Sequence, residues 1–476
     1  MNNHNILLVA NGYKRELPNL LRERMNCSIG AYVISDERPS CDHNDYKNFR
    51  DCTFCYHDDI DDYSEIPLDE ALLSNLSDCQ SIALKMMERY EFANNLHGFE
   101  GRERLYHRLV KYWMNYLTQN RINFCIFMTL PHGVFDYVIY SLAKFLDIKV
   151  LMFHRIPVLR DGAVSLYSIS NLNHSDLNLS WRYKNHLVNK VQRGPLTERI
   201  SSYYSLRHGN KGKTFTGVTN NNKKWLKIFN PLVYPRTLIN RINYYRHWSR
   251  YVGFDDWILK WIYTFLRKPR KKYQWDCMSK LKTKYIFVAL HFQPEASTSP
   301  MGGQFVYQDL MLEMLAKAIP SDVSIYIKPH MREGLSPELA SRLTMRHNMF
   351  LLSPAMNSYK LIKGALAVAT VTGTAGWEAF INRKPVLLFG NCFYQDAPGV
   401  FKIKTFSDTC EAISEIIGGR VNITDDMVSA FLYAIQDVTF PGWVDNRYSN
   451  LSELNDKENL EGITKEIITK FFKPSC

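Results

Sequence analysis

No run of eighteen apolar residues occurs in the 476-residue chain, and the opening MNNHNILLVANG has no basic segment ahead of a long apolar one. These two absences argue against a membrane-spanning helix and against a secretory leader. The ten cysteines are scattered rather than arranged as a disulfide framework, which fits reduced thiols and a cytoplasmic address. One Cys-x-x-Cys pair, Cys52 and Cys55, lies near Cys41, His43 and His57. The Cys41-x-His43 spacing is too tight for the usual second zinc ligand pair, so a loop with incidental thiols is expected there. No recognised RNA or DNA module is present, and nucleic acid is not an expected partner. The C-terminal half lacks an Asp-x-Asp pair to hold a metal ion, and no cofactor is expected.

What the chain does have is material for real cores. At 46% hydrophobic and 13% aromatic residues it is not a disordered protein, and its length suits two domains. Its formal charge of +12 implies an acidic partner. The charge is concentrated: residues 221–273 hold thirteen Lys or Arg against Asp255 and Asp256, or +11, together with thirteen aromatics. Tryptophans such as Trp225, Trp248, Trp257 and Trp261 interleave with Lys223, Arg241, Arg250 and Lys260. This pattern suits the headgroup layer of an anionic bilayer, where each basic residue contributes about 1 kcal/mol. Aromatics packed on a globular body with solvated charges between them would read the same way.

The strongest local pattern is 366–391, where a small and β-branched run, a turn with two glycines, a short helix and a second apolar run make a βαβ unit. In Thr372-Gly373-Thr374-Ala375-Gly376 the glycines permit close approach of backbone N–H groups, and the threonines offer hydroxyls. The helix, expected to begin near Trp377, would favour a phosphate at its N-terminus. Glu378 is placed to accept from a sugar hydroxyl. A tight turn with a capped helix and a solvated Glu378 is the plainer alternative.

Apolar runs elsewhere predict strands over 5–11, 30–34, 124–129, 285–290, 323–327 and 349–352, with helical spacing near 17–24, 81–90, 104–117, 308–318, 425–436 and 461–472. In open parallel sheets, ligands bind at the carboxyl edge. Pro131-His132-Gly133 follows one strand, with Asp136 a turn further on, and His154, Arg155, Arg160 and Asp161 follow the next. In the C-terminal half the same edge receives residues 291–299, Lys328 and His330, Ser353, and the 372–376 turn.

The ordered set Gln293-Pro294-Glu295, Lys328-Pro329-His330, Thr372-Gly373-Thr374-Ala375-Gly376-Trp377-Glu378-Ala379 and Lys384-Pro385-Val386 resembles the bacterial capsule polysaccharide biosynthesis proteins. These are GT-B glycosyltransferases that include the Kdo transferases of capsule linkers. The resemblance covers 285–396, and more faintly Leu130-Pro131-His132 with Asp136. One departure is Met331, where such enzymes commonly carry proline.

The resemblance implies an α/β, GT-B fold: two Rossmann-like doubly wound domains facing a cleft, here with a basic aromatic helical insertion. The expected domains are 1–170 for the acceptor, 171–280 for the insertion, 281–425 for the nucleotide sugar, and 426–476 as helices returning toward the first domain. It implies that Gln293, Lys328, His330, Ser353, Thr372, Gly373, Thr374, Gly376 and Glu378 hold the donor. His132, Asp136 and Glu295 are then catalytic candidates, and Arg155, Arg160 and Asp161 would meet the acceptor or a donor carboxylate.

The expected activity is metal-independent transfer from a nucleotide-sugar donor, with a CMP-activated 2-keto acid sugar the indicated choice, to a surface-polysaccharide or lipid-linked glycan. The expected place is the cytoplasmic face of the inner membrane, held peripherally through 221–273. Two alternatives stay open: a UDP-sugar 2-epimerase of the same architecture, and a non-catalytic membrane-associated glycan-binding subunit.

Overall fold

The computed structural model describes residues 4–9, 16–25, 27–34, 46–48, 67–88, 98–156, 165–189, 194–198, 200–201, 204–205, 284–292, 296–330, 348–444, 452 and 454–472. The 221–273 segment, the thiols and imidazoles of the 41–57 stretch, Arg160, Asp161, Gln293, Glu295 and Met331 lie outside them.

The first sheet is built on β1 (Asn5–Val9), with β2 (Ser28–Ile34) and β3 (Tyr46–Asn48) on one side. On the other side lie β4 (Phe124–Phe127), β5 (Lys149–Ile156), β6 (Ser165–Ile169) and finally β13 (Phe440–Pro441). The strands from β3 across to β5 run parallel, whereas β6 runs antiparallel to β5 and β13 antiparallel to β6. Strand β4 is buried at all four positions, as a central parallel strand covered on both faces should be. The covering helices are α1 (Leu17–Met25), α2 (Glu70–Asn75), α3 (Ser77–Glu88), α4 (Gly98–Gln119) and α5 (Val134–Phe145). A further helix, α6 (Leu179–Val188), follows β6.

The second sheet is wholly parallel, in the order β12-β11-β10-β7-β8-β9. Its strands are β7 (Tyr285–Ala289), β8 (Ser324–Lys328), β9 (Met349–Leu351), β10 (Ala367–Thr370), β11 (Val386–Leu388) and β12 (Val400–Lys402). Helices α7 (Gln308–Ala318), α8 (Ser358–Gly364), α9 (Thr374–Ile381) and α10 (Phe406–Ile417) alternate with them. The fold is thus α/β with two Rossmann-like sheets, the composition of a GT-B chain.

The chain then returns to its start. Helix α11 (Asp425–Val438) packs on α6, and Asp437 on α11 receives His186 at 2.7 Å. Helix α12 (Asp456–Phe472) packs on α1 and sets Phe471 against Phe124, with ring centroids 5.0 Å apart. Phe431 of α11 meanwhile touches Trp377 and Phe380 of α9, so one apolar cluster runs from the first sheet into the second.

In both sheets the chain reverses its direction of progress beside the strand that opens it. The reversal falls between β1 and β4 in the first sheet and between β7 and β10 in the second. The carboxyl ends of these strand pairs flank a crevice, the place where open α/β sheets bind ligands.

Candidate functional site

At the second crevice, β10 ends in Thr370 and α9 begins at Thr374, with Gly373 as an extended N-cap that makes no side-chain cap bond. The helix therefore starts three residues before the position expected from sequence, and Thr374 is its first residue. Glycine is required in this turn by close approach. A Cβ on Gly373 would stand 2.6 Å from Thr370 Oγ1, and one on Gly376 would stand 2.5 Å from the Tyr394 hydroxyl.

The turn's inner polar groups are already engaged. The Thr372 N–H donates to His291 Nε2 at 3.1 Å and the Gly373 N–H to Thr370 Oγ1 at 3.2 Å. The Thr372 hydroxyl donates to Ser297 O at 2.6 Å, and the Tyr394 hydroxyl to Gly373 O at 2.5 Å. The donors available to a ligand are thus not those of Thr372 and Gly373, as the sequence suggested. They are the N–H groups of Thr374 and Ala375, which have no intrahelical acceptor in the first turn, with the exposed Thr374 hydroxyl beside them. Gly376 is buried and its N–H returns to Gly373 O at 3.0 Å, so it supplies space rather than a donor.

The same edge carries a cation. Lys328, last in β8, donates from Nζ to Ser358 Oγ at 2.6 Å. Partial burial pulls its pKa below the usual lysine range, and the charge of Glu378 on α9 acts against that shift. His330 lies two residues beyond Lys328, half-buried, with its ring 5.6 Å from that of Phe292. Ser353 follows β9, three strand positions from β10 and so about 14 Å from the turn. Its hydroxyl accepts from the Ala355 N–H at 3.3 Å, at the far end of the edge.

At the first crevice, β4 leads through Leu130 and Pro131 to His132, and α5 starts behind Gly133. The imidazole Nδ1 is 2.7 Å from Leu130 O. A carbonyl only accepts, so Nδ1 carries the proton and Nε2 keeps its lone pair when the ring is neutral. The N-cap of α5 is Gly133, which takes no side-chain bond, and Asp136 in the first turn reaches back to the backbone ahead of it. Asp136 is 1% exposed, and its Oδ2 accepts from the His132 backbone N–H at 3.2 Å.

Behind His132 lies a group of residues that sequence reasoning did not assemble. The Tyr167 hydroxyl donates to His174 Nε2 at 2.9 Å, and His174 Nδ1 donates to Leu172 O at 3.1 Å. The ring of His154 lies edge-on to Tyr167, with centroids 5.6 Å apart. Burial lowers the pKa of His154 to about 3, with the charges of His174, Arg155 and His132 adding to it, and burial lowers that of His174 to about 4. Arg155 sits half-buried near the end of β5. His174 was recoverable only from the fold, because its partner Tyr167 lies on a strand that runs against the rest of the sheet.

The two regions meet through residues 393–395. The Phe393 ring lies between Tyr167 and Trp377, at centroid distances of 6.4 and 5.1 Å, and Gln395 Nε2 donates to Asn173 O at 2.5 Å. On another side, Lys85 of α3 donates to Gln304 Oε1 at 2.6 Å. Among the described residues no group of three or more His, Cys, Asp or Glu is arranged to hold a metal ion, and no helix is long and apolar enough to cross a membrane.

Two Rossmann-like α/β units, each with polar side chains at its switch point, give the chain a GT-B-like fold. Residues 232–408 match the family described as capsule polysaccharide biosynthesis protein, so the family likeness read from the motifs is shown over that stretch. No curated protein matches the chain. Among solved structures, it is similar to the Thermosulfurimonas dismutans KpsC, a beta Kdo 2,7 transferase, at 14% identity and a TM-score of 0.34, covering 80% of this chain and 95% of that one. The UDP-GlcNAc 2-epimerase of Methanocaldococcus jannaschii is similar at 10% identity and a TM-score of 0.26, covering 91% and 99%. A Rickettsia africae glycosyltransferase is similar at 12% identity and a TM-score of 0.28, covering 98% and 99%. At these values the structural likenesses assign no substrate.

Proposed function

We propose that the protein is a glycosyltransferase that moves a sugar from a nucleotide donor to a glycan acceptor. The observation that carries this reading is the second crevice. There the unengaged Thr374 and Ala375 N–H groups at the start of α9, the Lys328 ammonium and the His330 ring share one sheet edge with Glu378, inside the stretch that matches the capsule family. The helix start and Lys328 hold the phosphate, and Glu378 accepts from a ribose or sugar hydroxyl. Ser353, at the far end of the edge, is within reach of the base end of an extended nucleotide.

Transfer requires the acceptor oxygen to bond to the anomeric carbon as the bond from that carbon to the phosphate oxygen breaks. The departing electron pair goes to the phosphate, and the acceptor's proton must go to a base. His132 Nε2 is that base, with Asp136 fixing its backbone and Leu130 O fixing its tautomer. Charge accumulating on the phosphate is met by Lys328, His330 and the helix N–H groups, so no metal ion is needed for that step. The donor we favour is a CMP-activated 2-keto acid sugar. Its carboxylate beside the anomeric carbon calls for cations from both domains, a role that suits Arg155 with Arg160. In this reading the family resemblance gives Gln293 a donor-binding role, Glu295 a catalytic one and Asp161 one toward the acceptor. The acceptor is a surface-polysaccharide or lipid-linked glycan at the inner membrane, approached through 221–273.

The test is calorimetric titration with CMP, UDP, GDP and CDP, followed by transfer assays with and without a chelator. Thr374→Pro removes one N–H at the first helical position, where proline is well tolerated, while Thr374→Ala keeps it. We expect CMP to bind best and the proline variant to bind it at least fivefold more weakly than the alanine variant, at unchanged melting temperature. No binding of any nucleotide would sink the donor site. UDP-sugar epimerisation without transfer would replace the activity. Flotation with anionic but not neutral liposomes, fading as salt rises, is the result expected for the membrane contact.

A further inference from the structure

The second crevice is not empty of side chains: the imidazole of His291 crosses it. His291 follows β7 and is 8% exposed. Its backbone is held on both polar groups by one amide, since its N–H donates to Gln308 Oε1 at 2.7 Å and its carbonyl accepts from Gln308 Nε2 at 3.2 Å. Its ring spans from β7 to the end of β10. Nε2 stands 3.1 Å from the Thr372 nitrogen and 3.1 Å from Thr370 Oγ1.

A backbone N–H only donates, so Nε2 accepts and the ring proton resides on Nδ1. Burial, with the charge of His330 adding to it, lowers the pKa of His291 to about 4, in keeping with that neutral form. Thr370 extends the arrangement by accepting the Gly373 N–H and donating to Ala289 O at 3.4 Å. Two consecutive N–H groups, those of Thr372 and Gly373, are thereby turned inward onto one imidazole and one hydroxyl. The next two, those of Thr374 and Ala375, begin the helix and face the ligand edge. The fit is close enough that a Cβ on Gly373 would come within 3.2 Å of the ring.

We propose that His291 is the positioning residue of the anion-binding turn: a neutral imidazole acceptor that fixes Thr372 and Gly373 and so aims the Thr374 and Ala375 N–H groups at the donor phosphate. The proposal rests on reading that turn as the nucleotide site. It assigns His291 a role through the turn and no contact with substrate. A histidine that merely filled the core would affect melting and leave affinity untouched.

The experiment uses the full chain with His291→Leu, which removes the acceptor, and His291→Gln, whose carbonyl oxygen can return one near the Nε2 position. Titration with CMP, or with whichever of CMP, UDP, GDP and CDP wild type binds best, is done well below each variant's melting temperature. The leucine variant should bind at least tenfold more weakly, and the glutamine variant should recover to within about threefold of wild type. A folded leucine variant that binds within twofold of wild type overturns the proposal, as does a glutamine variant as weak as leucine.

Should the leucine variant fail to fold, spectra of uniformly ¹⁵N-labelled wild type decide. An Nδ1-protonated ring coupled to the Thr372 amide, with nucleotide moving the Thr374 and Ala375 amides most, supports the assignment. The opposite tautomer, or largest shifts at Thr372 and Gly373, refutes it. The two readings fail separately. Wild type that binds no nucleotide removes the site and this role with it, whereas binding that is weakened by Thr374→Pro and untouched by His291→Leu removes only the role of His291.

Discussion

The two switch points use the same geometry for opposite electrostatics. At the second, two helix N–H groups, the Lys328 amine and the His330 ring share an edge with a turn stiffened by four hydrogen bonds. At the first, His132 Nδ1 and His174 Nδ1 both donate to backbone carbonyls, which puts the lone pair of a neutral ring on Nε2. A crevice of donors suits an anion. An imidazole lone pair suits a hydroxyl that must lose its proton. Under the proposed function the same crossover serves as a phosphate site or a proton-accepting site, depending on which residues follow the strands.

The sharpest way to break this comparison is to remove the base. In His132→Ala, transfer should fall by about 10²- to 10⁴-fold with nucleotide affinity nearly unchanged, since the proton moves only in the transition state. Single-turnover transfer beside Asp136→Asn and Glu295→Ala is the measurement. Asp136→Asn keeps an acceptor for the His132 N–H and should cost far less. Wild-type turnover in His132→Ala would leave the first crevice without its assigned chemistry.

Next in size is the stiffness of the second turn. Gly373→Ala places a carbon 2.6 Å from Thr370 Oγ1, so the turn must shift, at about 1–3 kcal/mol for overpacking. Nucleotide affinity should fall about tenfold or more, and denaturant midpoints should drop, with His132-dependent chemistry unaffected at saturating donor. Unchanged affinity would mean that the ligand does not use this turn.

How much of this was legible in sequence follows from what each feature depends on. Central parallel strands such as β4 and β10 read clearly, because burial on both faces leaves an unbroken apolar run. The strand ends then named the edge residues, and Lys328-Pro329-His330 and the 372–379 motif lay on that edge, whereas Lys384-Pro385-Val386 enters β11 from the opposite one. The start of α9 was read three residues late because Gly373 caps through its backbone alone and leaves no polar side chain as a signal. The direction of β6 was illegible for a different reason, since strand polarity is set by the connection and not by the strand's own pattern. The engaged state of the Thr372 and Gly373 N–H groups depends in part on His291, 81 residues from Thr372, and no local spacing encodes that bond.

The histidines sharpen the comparison through acid. Half-buried His154 and buried His174 and His291 have pKa values lowered to about 3, 4 and 4, against 6.5 when unfolded. Depressed values mean that the unfolded chain takes up protons that the folded chain refuses. Stability is therefore full above about pH 6.5 and is lost as pH falls toward 4 and then 3, at about 1.4 kcal/mol per pH unit for each group. His174→Asn, which tolerates the left-handed backbone at φ 58°, should remove one of these protons and flatten the acid limb of urea stability by about that amount. An unchanged slope would mean that His174 titrates normally.

The smallest expected effect tests the link between the crevices. Gln395 bonds Asn173 O, its neighbour Tyr394 bonds Gly373 O, and Phe393 lies against Tyr167, so three consecutive residues connect the 372–376 turn to the region of Tyr167 and His174. Gln395→Ala removes one neutral hydrogen bond, worth about 0.5–1.5 kcal/mol. If that bond helps hold the two regions in register for transfer, turnover should drop about two- to tenfold. Nucleotide affinity should stay constant, because the turn keeps its own bonds. Tyr394→Phe should show the complementary pattern, with affinity falling a few-fold because the lost bond ends on Gly373. If both variants shift the same parameter, the 393–395 segment acts as a single packing unit and the two crevices are not separable in the way their chemistry suggests.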